Sequence, residues 1–217
     1  MIKENIEKVR QRILEICTKR KIDSAKITLL CVTKGRSVQE ILEVVSSGIN
    51  HLGENRVQEV VEKYNLIPQA HWQMVGHLQS NKVRDALKIF DLIHSVDSIS
   101  LAQEINKHAF KINKIQNILL EVKTSPEASK FGFKPELLPE ACAEIIKLEN
   151  IKIQGLMTIA PAVDNANAAR PYFSRLRQLR DQFNPGWLLS MGMSDDFEVA
   201  IEEGADILRL GRVIFER

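Results

Sequence analysis

Little in this 217-residue chain is suited to holding a metal or a disulfide. Its three cysteines, Cys17, Cys31 and Cys142, are an odd, scattered set without metal-ligand spacing, and Cys31 lies inside an apolar run as a small core residue would. The five histidines, His51, His71, His77, His94 and His108, show no H-E-x-x-H or related spacing, so no metal site is expected. No run of about 18 or more apolar residues occurs, which argues against a membrane-spanning helix. The first six residues are too polar and too acidic for a signal peptide. Charge of either sign is nearly balanced, at net +2, so neither nucleic acid nor an anionic membrane is expected as a main partner. The clusters Lys19-Arg20-Lys21 and Arg175/Arg177/Arg180 fall in helical stretches and read as solvated faces. The chain reads as cytoplasmic and reduced. No internal repeat, low-complexity tract or linker divides it, and a single domain over residues 1–217 is expected.

What the sequence does have is alternation. Ile2, Ile6, Val9, Ile13 and Ile16 recur at steps of four and three, the signature of one helix face. Ile27–Thr33 follows as a short apolar run rich in β-formers, as in a strand buried on both faces. The exchange then repeats, with strands expected at 50–54, 72–76, 92–97, 117–123, 151–158, 187–191 and 207–211. Helices are expected over 38–45, 57–64, around 83–87, 101–110, 135–148, 172–183 and 197–203. Such alternation implies a parallel sheet with right-handed crossovers, and eight repeats suggest closure into a (β/α)8 barrel. An open doubly wound sheet competes, but no G-x-G-x-x-G loop follows the first strand. No helix is expected after the eighth strand, so the N-terminal helix is expected to take that place in the outer ring.

In such a barrel the chemistry gathers at the carboxyl ends of the strands. Lys34 shares the parity of Thr28, Leu30 and Val32, so an inward-facing strand would carry its amine to the mouth. Partial desolvation there would favour the neutral amine and Schiff-base formation with an aldehyde. A lysine snorkelling to solvent is the plainer alternative. Ser190-Met191-Gly192-Met193-Ser194-Asp195-Asp196 leads into a helix, with Ser194 placed as its N-cap, and Gly192 and Gly211 occupy the loops where barrels bind phosphate. A plain capping loop is the alternative, and Asp195 and Asp196 would repel an anion if they faced it. Arg209 lies inside the last strand on the parity of Ile207, and a buried arginine needs a fixed acceptor, either a carboxylate or a ligand atom. Glu54 and Asn55 read as a helix cap or as ligand-orienting groups, His77 follows the third strand at the mouth, and Lys123 beside Glu121 reads as a surface ion pair. Spacing supports a phosphate-bearing ligand, with a lysine adduct as one option.

The stretches Leu29–Lys34, Leu52–Glu59, His71–Lys82, Gly155–Ile159 and Ser190–Asp196 resemble, in order and spacing, the YggS/PROSC family of pyridoxal 5′-phosphate (PLP) homeostasis proteins. The G-E-N-x-x-Q-E and H-x-x-Q-S-N-K patterns are long enough to be specific. The resemblance runs from the first helix to Phe215 and implies a barrel like the N-terminal domain of alanine racemase, with PLP as cofactor. It places the Schiff-base lysine on Lys34 and the ring-nitrogen arginine on Arg209. The phosphate loops fall on Ser190–Ser194 and on Gly211 with Arg212, and Asn55 lines the pocket; His77 and Met157 join the cofactor-binding set. Two departures stand out: Arg212 replaces a small hydroxyl residue usual in the family, and the chain ends in Phe215-Glu216-Arg217 where members have glycine and a further tail.

The resemblance implies a PLP carrier serving intracellular PLP homeostasis, with PLP-dependent apo-enzymes as recipients, acting as a monomer or weak dimer. The alternative is a PLP-dependent amino-acid racemase or related enzyme. Racemisation needs acid–base groups on both faces of the substrate, and the two tyrosines, Tyr64 and Tyr172, both fall in helices. A PLP-free aldolase using Lys34 is a third option.

Overall fold

The computed structural model describes residues 1–125, 131–163 and 165–216. Among them, eight parallel strands close into a barrel in sequence order, β1 pairing with β8. The strands are β1 Thr28–Val32, β2 His51–Glu54, β3 His71–Met74, β4 Leu92–Val96, β5 Gln116–Glu121, β6 Ile151–Met157, β7 Leu188–Ser190 and β8 Ile207–Leu210. The crossover helices are α2 Val38–Ser46, α3 Val57–Tyr64, α4 Val83–Ile89, α5 Ile99–Lys111, α6 Leu138–Ile145, α7 Arg170–Phe183 and α8 Phe197–Glu202, preceded by α1 Ile2–Arg20. This is a (β/α)8 barrel. Helix α1 packs against both α8 and α2 and so occupies the eighth place in the ring. A four-residue helix, α9 Arg212–Phe215, follows β8, and this element was not expected.

The expected strands are all present, but several stop one or two residues early at the mouth. There the chain leaves the ladder to form the loops that carry polar groups. The expected helix over 135–148 is a 3-10 turn at Pro135–Leu137 followed by the shorter α6. On α1 the buried face is Ile2, Ile6, Val9, Ile13 and Cys17, with Ile16 only partly covered. Helix α2 begins with a reciprocal capping box between Ser37 and Glu40, which satisfies two orphan donors of the first turn.

Strand alternation sorts the core into two layers. Outward residues such as Trp72, Met74, Ile93, Leu120 and Leu208 pack under the helices. Inward residues Leu30, Val75, Leu92, Leu119, Met157 and Ile207 fill the barrel axis. Gly155 lets β6 and β7 approach closely, since a Cβ there would lie 2.0 Å from the Leu188 carbonyl oxygen. Among the described residues, no helix is long and apolar enough to cross a membrane.

Candidate functional site

Above the apolar plug the barrel opens into a cavity of about 480 Å³ at the carboxyl ends of the strands. Lys34, Asn55 and His77, which follow β1, β2 and β3, form one side of it. Ser194, which follows β7, and Arg209, Gly211 and Arg212, in and after β8, also line it, and Glu121 and Ile159 contribute from β5 and after β6. Lys34 is there because it continues the inward parity of Leu30 and Val32. It is nevertheless exposed. The side chain at the mouth is thus more open to solvent than the expectation of a partly desolvated lysine had it.

Four expected residues do not line the cavity. Met157 belongs to the apolar plug below it. Ser190 is fully buried behind Arg209 and accepts its guanidinium N–H at 2.8 Å. Met191 has outward parity and packs into the layer beneath the helices. Gly192, at φ 92°, sits where a Cβ would meet the Ala200 Cβ at 2.5 Å, and its carbonyl accepts the Arg209 backbone N–H.

The loop after β7 differs from the expected cap. Helix α8 starts at Phe197 with Asp196, not Ser194, as its N-cap residue. Asp196 folds its carboxylate back to accept the Met193 N–H at 2.6 Å, while Ser194 Oγ accepts the Val213 N–H at 3.2 Å. Asp195 is ion-paired with the Arg212 guanidinium. Asp196 is thus engaged within its own loop, while the Asp195 charge is offset by Arg212 at the edge of the cavity.

Glu54 and Asn55 are separated by strand alternation. Glu54 points outward, fully buried, and accepts from Thr33 Oγ1 at 2.8 Å and from Lys63 Nζ at 2.9 Å. Asn55 turns into the cavity and does not cap α3, whose N-cap residue is Arg56. Five residues beyond Glu54, Glu59 accepts the Gly35 N–H at 3.2 Å. The G-E-N-x-x-Q-E pattern therefore fastens the β1 turn that carries Lys34 to the β2 end that carries Asn55. His77 Nδ1 lies 3.1 Å from Asp97, and its ring stacks on Phe131 with centroids 3.9 Å apart.

Glu121 is a site residue that periodicity alone did not single out. It forms no surface ion pair with Lys123; it is buried, faces the cavity, and takes its direction from the inward parity of Leu119. Burial, and secondarily the Asp97 charge, push its carboxyl up to about 7 against the pull of Arg209. Burial lowers the Arg209 guanidinium to about 10, with Glu121 and Asp196 opposing, so it stays charged at neutral pH.

The Glu121 shift sets a pH dependence. The unfolded carboxyl titrates near 4.5 and the folded one near 7, so between those values the folded state keeps a proton the unfolded state has lost. Stability therefore falls as pH rises through this window, by about 3 kcal/mol if the whole shift is expressed, and levels off above it. Urea melts at intervals across the window should show Glu121→Gln losing much less than wild type. Parallel curves for the two proteins would remove Glu121 as the source.

Residues 2–216 match the alanine racemase N-terminal domain family. A pyridoxal phosphate homeostasis protein of Aquifex aeolicus is 42% identical, over 98% of this chain and 96% of its own length. A solved structure of a protein from Bifidobacterium adolescentis superposes with a TM-score of 0.93 at 35% identity, covering 99% of this chain and 94% of that one. PipY of Synechococcus elongatus, solved with PLP bound, aligns over 100% of both chains with a TM-score of 0.86 and 33% identity. With near-complete coverage in both directions and the same closed barrel, the chain belongs to the family of pyridoxal phosphate homeostasis proteins.

Proposed function

We propose that this protein binds PLP, holds it as a Schiff base on Lys34, and delivers it within the cytoplasm to PLP-dependent apo-enzymes, acting as one domain over residues 1–217. The observation that carries the reading is the meeting of Lys34 and the buried Arg209 in one cavity of about 480 Å³, within the range of small-molecule sites. PipY, one of the relatives, has been solved with PLP in place.

The residues present fit that cofactor. Arg209 has two N–H groups committed, to Ser190 Oγ and to the Thr158 carbonyl, each at 2.8 Å, and retains donor capacity toward the cavity. It would face the pyridine nitrogen. Ser194, Gly211 and Arg212 would hold the phosphate, with the Arg212–Asp195 pair replacing the small hydroxyl usual at that position. Asn55 and the His77–Phe131 stack would flank the ring. Bound PLP supplies an aldehyde and, with an amino acid attached, an electron sink. A permanently charged arginine keeps a facing ring nitrogen unprotonated and weakens that sink. Neither Tyr64 nor Tyr172 lines the cavity, so neither supplies the second-face base that racemisation needs. The exposure of Lys34 suits exchange of the cofactor with an incoming amine. We take the protein to be a carrier working as a monomer or weak dimer.

Protein loaded with PLP and dialysed should retain it stoichiometrically and activate an added PLP-requiring apo-enzyme. It should leave a panel of L-amino acids unracemised. Stereoinversion at useful rates would establish the racemase alternative, and failure to retain any PLP would remove the cofactor assignment.

A further inference from the structure

A column of polar side chains crosses the barrel interior among apolar neighbours, from the first residue of β2 to the cavity. His51 Nδ1 lies 3.0 Å from Gln73 Nε2, and Gln73 Oε1 lies 2.7 Å from His94 Nε2. His94 Nδ1 is 2.9 Å from Ser190 Oγ, which is 2.8 Å from an Arg209 nitrogen. His94 and Ser190 have no exposed surface. The inward neighbours Leu30, Leu92, Leu119 and Met157 offer no competing side-chain partner.

The direction of the links follows from Arg209 at one end and from the Gln73 amide oxygen facing His94 at the other. A guanidinium only donates, so Ser190 Oγ accepts from it, and Gln73 Oε1 can only accept from His94 Nε2, so in a neutral imidazole Nδ1 is left to accept the serine proton. A neutral imidazole that accepts at Nδ1 carries its hydrogen on Nε2, and this donates to Gln73 Oε1. The other end of the amide then donates to His51 Nδ1. Burial, and after it the Arg209 charge, hold His94 well below the usual imidazole range, which keeps the middle of the column neutral.

We infer that the column is a positioning relay for Arg209, with His94 as its central positioning residue. It holds one terminal nitrogen of the guanidinium through Ser190 while the Thr158 carbonyl holds the other. With both fixed, the remainder of the fork is aimed into the cavity. Without the relay, Ser190 would be free to turn its proton elsewhere, and Arg209 would lose an anchor inside a site where few acceptors exist. The choice of PLP as ligand rests on the reading above; the order of the hydrogen bonds does not.

The test begins with wild-type protein free of PLP, labelled with ¹⁵N-histidine and followed by NMR from about pH 5 to about pH 9, the span in which an ordinary histidine titrates. His94 is expected to stay neutral with its hydrogen on Nε2 throughout. A charged His94, or one carrying its hydrogen on Nδ1, would overturn the relay. This measurement needs no variant and stands even if the following ones fold poorly. His94→Leu should speed exchange of the Arg209 side-chain N–H protons and weaken PLP retention roughly tenfold, about the worth of one charge-assisted hydrogen bond. His94→Gln, which keeps a donor and an acceptor, should recover most of both effects. A leucine variant matching wild type in both readouts would show that His94 merely fills space. If wild type takes up no PLP, the cofactor reading fails, while tautomer and exchange still decide the relay.

Discussion

Lys34→Ala protein mixed with PLP is expected to show no visible Schiff-base absorption band and to yield no borohydride-stable adduct, where wild type shows both. The amine is the group of Lys34 that reacts, and it reaches the cavity only because Leu30, Val32 and Lys34 share the inward face of β1. Arg209, Ser194, Gly211 and Arg212 remain in the variant, so PLP should still bind, reversibly and more weakly. Because Lys34 is exposed, the substitution should change folding stability by no more than about 0.5 kcal/mol, which separates loss of chemistry from loss of fold. Peptide mapping of the reduced wild-type adduct should place it on Lys34. An adduct on Lys63 or Lys123 instead, or an alanine variant with an unchanged spectrum, would remove Lys34 from the covalent role.

Lys63→Met is the substitution expected to cost the most stability. It strips the cationic partner from Glu54, a carboxylate with no exposed surface, while Lys63 itself is only slightly exposed. Breaking a buried pair by removing one member typically costs about 3–5 kcal/mol, because a charge is left without compensation. The double variant Glu54→Gln/Lys63→Met removes the charge as well and should recover most of the loss. Urea unfolding of the single and double variants measures both. The site should respond too, since Glu54 also accepts from Thr33, the residue before Lys34, and lies next to Asn55. A single variant within 1 kcal/mol of wild type would mean the pair is not what ties the β1 and β2 ends together.

The two perturbations differ because of which face each residue occupies, and this is also where reading the chain succeeds and stops. The alternation of short β-rich runs with amphipathic segments was legible because each period reports burial directly: two for strands, near 3.6 for helices. Parity was enough to send Lys34 and Arg209 inward. It also applied to Leu119 and Glu121, and to Leu92 and His94, but Glu121 was adequately explained by an ion pair with Lys123, and His94 stood only among five histidines without metal-ligand spacing. What removed those explanations was closure. Only when β1 pairs with β8 do the inward faces of β3, β4, β7 and β8 come within hydrogen-bonding distance of one another.

By itself, the sequence determined the eight-fold alternation, the barrel, the place of α1 in the ring and the strand ends at which chemistry gathers, because these depend on local periodicity and chain order. The tertiary structure decided that Glu121 faces the cavity with its carboxyl held up to about 7, that Glu54 serves as a clamp, that Asp196 is turned back onto its own loop while Asp195 is paired with Arg212, and that Lys34 is exposed. Each of these depends on distances between residues remote in sequence, and on the water excluded around them. Local pattern carries neither quantity, and both are set when the barrel closes.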